Sequence, residues 1–511
     1  MTHKKYMFFL LTLFFFSCTK LDEKFRSQLA QNNATDLKAS QFLSSAYTSL
    51  YGPFQGNSDL WALQTLSTDE GIPPTRAGDW DDNGAWRAVA TKSWNADLGQ
   101  VRGQFESLLA TQFAASNVLQ FKPSTQEAAE ARFIRAFSMY WVLDGYNQVP
   151  YREDLSNYKL LPKTLKGVEA LDFIISELTA ILPTLPDTGP AYTANKNAAK
   201  ALLMKIYLNK GVYANRTAPT FAADDMTKVS ALADEIIGSG KYSLNSNYFD
   251  NFAPDNDVKS TENIFTFLND PASNRGANVR GFTFMVSHYN QNPGGWNGFA
   301  TLSDFYDKFE ATDQRRGVYY TYPGALPNPG KRVNVGFMIG QQYNLTTDAP
   351  LNARSPADKP LAFTREVKLK ELDPATLEIT GIRPNKYAYD YASPGDQKNN
   401  DFAIFRLADV MLMKAEALLR TNNAAGALVI VNTLRQKRGV NGLVTLTLDN
   451  LLDERGREMY WEGYRRQDLI RFGKFLLAYQ EKPAADAHTL IFPIPSSQLA
   501  VNPNLIQNPG Y

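Results

Sequence analysis

Apolar residues recur at helical spacing in several stretches of the chain. Phe133, Ala136, Phe137, Tyr140 and Trp141 fall at i, i+3, i+4, i+7 and i+8, and Leu171, Ile174, Ile175, Leu178 and Leu182 form a comparable stripe. Such a stripe is what one face of an α-helix buries, so the spacing predicts helices over about 126–144 and 167–182, the second stopped by Pro183. Ala198, Ala201, Leu202 and Ile206 mark a further helix, and Val229, Leu232, Ala233, Ile236 and Ile237 the next. The latter ends at Gly238 and Gly240, glycine just past the last apolar position being a helix stop.

The arrangement returns toward the C-terminus. Leu407, Val410, Met411, Ala415 and Leu418 are answered by Ala424, Ala427, Leu428, Val431 and Leu434, and another helix is predicted from about Leu451 to Tyr464. Helix pairs of about 34 residues with small residues at close contacts are similar to tetratricopeptide repeats, although none carries the full consensus. The expected fold class is therefore mostly α: degenerate tetratricopeptide-like helical pairs over about 30–50, 100–240 and 400–475, carrying a large irregular, loop-rich portion. That portion covers about 52–100 and 245–400, where Gly, Pro, Asn and aromatic residues replace any period, as in PASNRGANVRGF, YPGALPNPGKR and YASPGDQKNND. Long irregular stretches inside a compact domain are commonly functional, which places the ligand surface on these two segments.

The N-terminus changes the picture of where the chain works. Lys4 and Lys5 precede the apolar run Tyr6–Phe16, and Ser17-Cys18 follows, Cys18 being the single cysteine among 511 residues. A basic start and roughly 7 to 15 apolar residues make a secretory signal, whereas spanning a bilayer takes about 20. A small residue before the cysteine makes it a lipid attachment site: residues 1–17 are removed and Cys18 becomes the acylated first residue. Phe15 stands at the third position before it, where Leu is usual.

Removal of Lys4 and Lys5 leaves 51 of the 53 basic residues against 52 acidic ones, a net charge of −1. No basic field exists to attract nucleic acid. At 44% hydrophobic and 21% charged, the chain is ordinary globular material. With Cys18 committed to lipid, no disulfide, thiolate nucleophile or zinc cluster can be built. Once His3 leaves, only His288 and His488 remain, neither at zinc-motif spacing, and no HExxH or G-x-S-x-G occurs. Gly324–Arg332, GALPNPGKR, has one residue too many between its glycines, and Arg332 stands where a phosphate loop needs Ser or Thr. No catalytic residue, metal or cofactor is expected.

Candidate chemistry concentrates in residues 68–94, TDEGIPPTRAGDWDDNGAWRAVATKSW, where Trp80, Trp86 and Trp94 lie among Asp69, Arg76, Asp79, Asp81 and Asp82. Indoles beside carboxylates and arginine in a loop too rich in Gly and Pro for a helix are equipment for sugars: ring C–H faces stack on indole and hydroxyls take bidentate polar partners. Alternatively these indoles plug the loop onto the helices, the reading preferred for Trp94. A second cluster, HYNQNPGGWNGF over His288–Phe299, allows tight turns that present Trp296 and Asn297 or bury the tryptophan. Arg383 in TGIRPNKY either clamps hydroxyls or forms a salt bridge to the helical body. The densest charge run, ERGREMYWEGYRRQDLIRFGKF (Glu454–Phe475), reads as a helix laced by ion pairs that buttress the fold.

That run resembles the C-terminal signature of the SusD/RagB family of Bacteroidetes outer-membrane lipoproteins. IFPIPSSQLAVNPNLIQNPGY, Ile491–Tyr511, is similar to the family's closing segment. ARFIRAFSMYWVLDGYNQVPY, AAKALLMKIYLNKGVY and FRLADVMLMKAEALLR look like its repeat helices, so the resemblance spans essentially the whole chain beyond the leader. It implies a body of four tetratricopeptide-like units carrying an irregular ligand-binding portion. It further implies a lipid-anchored protein at the outer membrane, facing outward, that captures oligosaccharides without cleaving them and acts as lid of a SusC-like TonB-dependent transporter. By the same resemblance, Asp69, Arg76, Trp80, Trp86, Trp296 and Asn297 border the ligand cleft. Acidic residues after the lipidated cysteine favour surface export, and here Asp22 and Glu23 stand behind Lys20. Two other readings stay open on sequence: a glycoside hydrolase using paired carboxylates, which need about 5 to 9.5 Å between them, and a transporter lid with peptide cargo or none.

Overall fold

Ser124 and Glu127 fix the start of the central helix. In the computed structural model of the chain, the Ser124 hydroxyl accepts from the Glu127 amide and the Glu127 carboxylate from the Ser124 amide. This capping box satisfies two of the amides that a helix start leaves open. The helix runs Thr125–Tyr146 and ends at Asn147 in a left-handed conformation, φ 57°. The described residues are 37–511, apart from 153–154, 156, 158–159, 274–282 and 394–396. The leader and Cys18 lie outside them.

Every residue from Phe133 to Tyr146 is buried, so this helix is apolar-faced all round rather than along one stripe. The reason is its position. Helix Gly99–Val118 packs on it, as does helix Gly167–Ile181. The antiparallel ribbon of Asn263–Phe267 with Phe402–Arg406 also lies against it, Phe265 meeting Phe133 edge-to-face at 5.1 Å. Helix Gly167–Ile181 keeps the one-sided pattern, burying Ala170, Leu171, Ile174, Leu178 and Ile181.

Two further helical pairs extend the stack. Lys196–Ala214 packs on Ala223–Gly238, and Leu407–Arg420 on Ala424–Lys437, with Leu407–Arg420 also seated against Ala223–Gly238. The fold is thus mostly helical, and among the described residues between 239 and 406 no α-helix exceeds four residues. That stretch holds short pairings instead, including the three-stranded sheet of Arg383–Asn385, Val335–Met338 and Gly317–Val318. The first irregular stretch is less irregular than expected, since Tyr51–Gln55, Leu60–Leu66 and Ala85–Thr91 are helical.

The charged run departs most from expectation. A single helix over Leu451–Tyr464 is replaced by Leu448–Met459 and Arg465–Arg471, separated by left-handed Trp461 (φ 60°) and Gly463 (φ 80°). Its charges face the interior. Glu458 pairs with Arg406 at 3.0 Å, Arg438 at 2.9 Å and Arg315 at 3.1 Å, while Glu262 bridges the first two at 3.3 and 2.8 Å. Asp468 holds Arg455 at 2.9 Å and Arg471 at 2.7 Å, and Glu416 completes the shell of Arg471 at 2.8 Å. Buried charges are tolerated where each carboxylate meets several donors, and this network ties the second irregular stretch to the helices.

The closing segment is a latch on the same body. The Asn508 amide donates to the carbonyls of Tyr146 (3.0 Å) and Phe492 (2.7 Å), and Gln148 donates to the carbonyl of Ile506 at 2.6 Å. Trp94 is buried beneath it, its indole N–H donating to the Tyr511 hydroxyl at 2.7 Å.

Candidate functional site

The two aromatic segments meet. The Trp80 indole donates to the Trp296 carbonyl at 3.1 Å, its ring lies 5.9 Å from that of Trp86 and 6.3 Å from that of Trp296, and Phe299 forms the floor at 4.7 Å. Local chain chemistry makes this approach possible. Trp80 is itself left-handed, φ 59°, at the end of the Gly78-Asp79 turn. Gly298 must lack a side chain, because a Cβ there would stand 2.5 Å from the Trp80 ring.

Trp86 sits on helix Ala85–Thr91, not in a loop, and is 4% exposed, its indole N–H held by Asp82. It stacks edge-on to Phe299 at 5.0 Å and supports Trp80 from below. Trp80 and Trp296 are the two indoles of the cluster that keep partial exposure. Around them stand the exposed carboxylates Asp79 and Asp82 and half-buried Asp81 paired with Arg87. Tyr289, hydrogen-bonded to Asp79 at 3.3 Å and covered by the Arg354 guanidinium at 3.8 Å, completes the rim.

The polar residues expected at the ligand turn inward, which corrects their assignment as direct contacts. Both oxygens of Asp69 are taken by Arg465 at 2.7 Å. Burial opposes ionisation of Asp69, but the Arg465 charge more than offsets it and holds the carboxyl below its usual range. Arg76 donates to the carbonyls of Leu377 (2.6 Å), Thr380 (2.9 Å) and Gly298 (3.4 Å) and to the Thr380 hydroxyl (2.6 Å). Arg383 donates to the carbonyls of Gly298 (3.2 Å), Phe299 (3.3 Å) and Glu378 (3.3 Å) and to the Asn297 side chain (2.9 Å). Burial pushes both guanidinium groups down, Arg76 to about 10 and Arg383, with Arg76 beside it, well below its ordinary value. Asn297 is buried in the same bonds. These residues grip the backbone under Trp296 and so set the height of the indole surface from behind.

His288 closes the same loop. Its Nδ1 accepts from the Asn290 amide at 3.0 Å, which puts the proton on Nε2, donating to Glu378 at 2.9 Å. Burial holds the imidazole pKa down, so the ring is a neutral clamp.

Beyond Phe284, which lies 6.1 Å from Trp296 and 6.2 Å from Tyr389, the aromatic surface runs into a cavity of about 260 Å³. Tyr322, Tyr389, Tyr391, Asn334, Asn385 and Arg332 stand in its wall. Tyr322 donates to the Tyr389 carbonyl at 2.7 Å and Tyr391 to the Asn292 carbonyl at 2.9 Å. Sequence reasoning missed this cavity and Tyr289. The available signal was the alternating run Tyr387, Tyr389, Tyr391 in an otherwise polar stretch.

The fold is a helical-repeat body that presents an indole surface on irregular loops, and among the described residues no helix is long and apolar enough to cross a membrane. The chain belongs to the SusD family, whose sequence profile matches residues 232–511. It is 28% identical over 419 residues to starch-binding protein SusD of Bacteroides thetaiotaomicron, covering 76% of this chain and 73% of that protein. It is 25% identical to SusD-like protein P38 of Formosa agariphila, covering 76% and 74%. Among solved structures, a laminarin-binding SusD-like protein superposes with a TM-score of 0.70 at 19% identity, over 93% of this chain and 99% of that one. Surface glycan-binding protein A of Bacteroides thetaiotaomicron, in complex with laminarihexaose, superposes with a TM-score of 0.69 at 20% identity, over 92% and 98%.

Proposed function

We propose that this protein captures oligosaccharides by stacking them on Trp80 and Trp296, without altering them covalently, and serves as a cell-surface component of glycan uptake. The observation that carries this reading is the convergence of Trp80, Trp86 and Trp296 from segments 216 residues apart. Indole faces offer a sugar ring apolar area, and the rim of Asp79, Asp82 and Tyr289 offers hydroxyl partners. Relatives whose names specify starch or laminarin support the ligand class. In this reading Asp69, Arg76, Trp86, Asn297 and Arg383 hold the platform in shape.

Cys18 is the proposed lipid anchor to the outer membrane, and a SusC-like TonB-dependent transporter the proposed recipient of the ligand. Hydrolysis is disfavoured by two of the acids at hand: Asp69 is committed to Arg465 and Asp81 to Arg87. The test is incubation of the purified protein lacking residues 1–18 with a panel of neutral oligosaccharides. Retention on affinity gels with no new reducing ends is expected, and turnover abolished by one carboxylate substitution would overturn the binding-only reading.

A further inference from the structure

The cavity beside the indole surface differs from it in charge. Around the platform the exposed ionisable groups include Asp79 and Asp82, whereas among the described residues the cavity wall contains no Asp or Glu and two arginines, Arg332 and Arg383. Arg332 is matched, by Asp348 at 2.8 and 3.1 Å. Arg383 is not. Its Nη atoms bond only carbonyls and the Asn297 amide oxygen, and its Nε is buried with no hydrogen-bond partner. Arg76, behind it, likewise bonds carbonyls and a hydroxyl, with its own Nε unpartnered.

Two buried guanidinium groups without a bonded carboxylate share one nearby buried counter-charge, Glu371, which leaves an excess of positive charge on one side of the loop, and burial of a charge is costly until it is matched. A second orphan stands in the same wall. Asn385 donates to the Asn334 carbonyl at 3.0 Å, but its Oδ1 is buried and accepts nothing. A bound group would therefore have to be negative where it faces Arg383 and carry a hydroxyl donor for Asn385, within about 260 Å³ bordered by Tyr322, Tyr389 and Tyr391. Tyrosine faces supply the apolar wall that a sugar ring needs.

We infer that this cavity is a second subsite, which takes a single sugar unit bearing a carboxylate, a uronic acid carried as a branch or an end of the glycan whose neutral chain lies on Trp80 and Trp296. The inference rests on the platform reading for the rest of the chain and adds to it a charge requirement at one position.

The experiment uses the purified protein lacking residues 1–18 and three probes: methyl β-D-glucuronoside, methyl β-D-glucoside and laminarihexaose. Saturation-transfer NMR with titration is expected to give the glucuronoside an affinity at least tenfold above that of the glucoside. Gln291→Glu places a carboxylate in the cavity wall while retaining the side-chain oxygen that accepts from the His288 amide. It is expected to lower glucuronoside affinity at least tenfold and leave laminarihexaose unchanged; Gln291→Ala, which removes the amide without adding charge, should retain most of the preference. Equal affinities for the two methyl glycosides, or a Gln291→Glu protein that binds the glucuronoside as well as the parent, would overturn the acidic subsite while leaving the platform standing. Failure of laminarihexaose and the other neutral glycans to bind the parent protein would count against the platform instead.

Discussion

The Trp80 indole nitrogen and the Trp296 carbonyl oxygen are 3.1 Å apart although 216 positions separate them in the chain. One hydrogen bond thereby joins the two irregular stretches into a single surface. Everything beneath it is arranged to keep that surface at one height: Phe299 as floor, Arg76 and Arg383 on the carbonyl of Gly298, and Trp86 packed against both Trp80 and Phe299.

Gly298→Ala tests that arrangement without removing an aromatic group. The added methyl would fall 2.5 Å from the Trp80 ring, so the ring must move. Overpacking of this kind costs about 1–3 kcal/mol. The expected outcome is a modest fall in unfolding midpoint with roughly tenfold weaker glycan binding by calorimetry. Unchanged binding would mean that the position of Trp80 is immaterial.

Glu458→Gln addresses the buried ion network. Arg315, Arg406 and Arg438 all bond this carboxylate; without it Arg315 keeps Asp313 and Glu454 and Arg406 keeps Glu462, but Arg438 is left with Glu262, which it shares with Arg406. Breaking a buried pair from one side costs about 3–5 kcal/mol. Chemical denaturation should show a loss of that order at unchanged slope.

The same network sets the acid limit of the fold. Burial opposes ionisation of Glu454, but Arg315, Arg457 and Arg435 outweigh it and hold the carboxyl at about 2, against 4.5 for an ordinary glutamate; Glu458 is depressed likewise by Arg438, Arg406 and Arg315. A folded pKa below the unfolded one means that the unfolded chain binds more protons in between. The stabilisation is complete above pH 4.5 and is lost as pH falls toward 2. Melting temperature measured from pH 7 downward should be insensitive to this network until about 4.5 and then fall steeply. A flat profile would contradict the assignment.

Asn508→Ala probes the C-terminal latch. It strands the buried carbonyls of Tyr146 and Phe492. Unsatisfied buried acceptors cost about 1–3 kcal/mol each. A loss of about 2–3 kcal/mol is expected in equilibrium unfolding, with glycan affinity unchanged because the Asn508 amide bonds the carbonyls of Tyr146 and Phe492 and neither indole of the platform.

Much of the scaffold was legible because helical periodicity is local. The stripe at Leu171, Ile174 and Leu178 is a property of neighbours in sequence, and it is the buried face of Gly167–Ile181. The break at Trp461 and Gly463 was not legible, since the positive φ angles there are imposed by tertiary bonds, the Trp461 indole donating to the Glu70 carbonyl and the Trp61 indole to the Trp461 carbonyl. Helix Ala85–Thr91 was hidden by the left-handed Asn83 and Gly84 that precede it. At the site, residue type picked out indoles that meet in space, but nothing local told that Asp69 faces Arg465 or that Arg76 and Arg383 spend their donors on carbonyls. Those facts depend on partners distant in the chain, 396 positions away for Asp69, 304 for Arg76 and 85 for Arg383.

The central claim is that Trp80 and Trp296 form the glycan platform, and calorimetric titration of Trp80→Ala and Trp296→Ala tests it most directly. The titrant is whichever neutral oligosaccharide of the panel the parent protein binds, and circular dichroism checks the fold of each variant. Removing a stacked aromatic anchor is expected to weaken binding at least tenfold, about 1.4 kcal/mol, in each variant. Full parental affinity in both correctly folded variants would contradict the account.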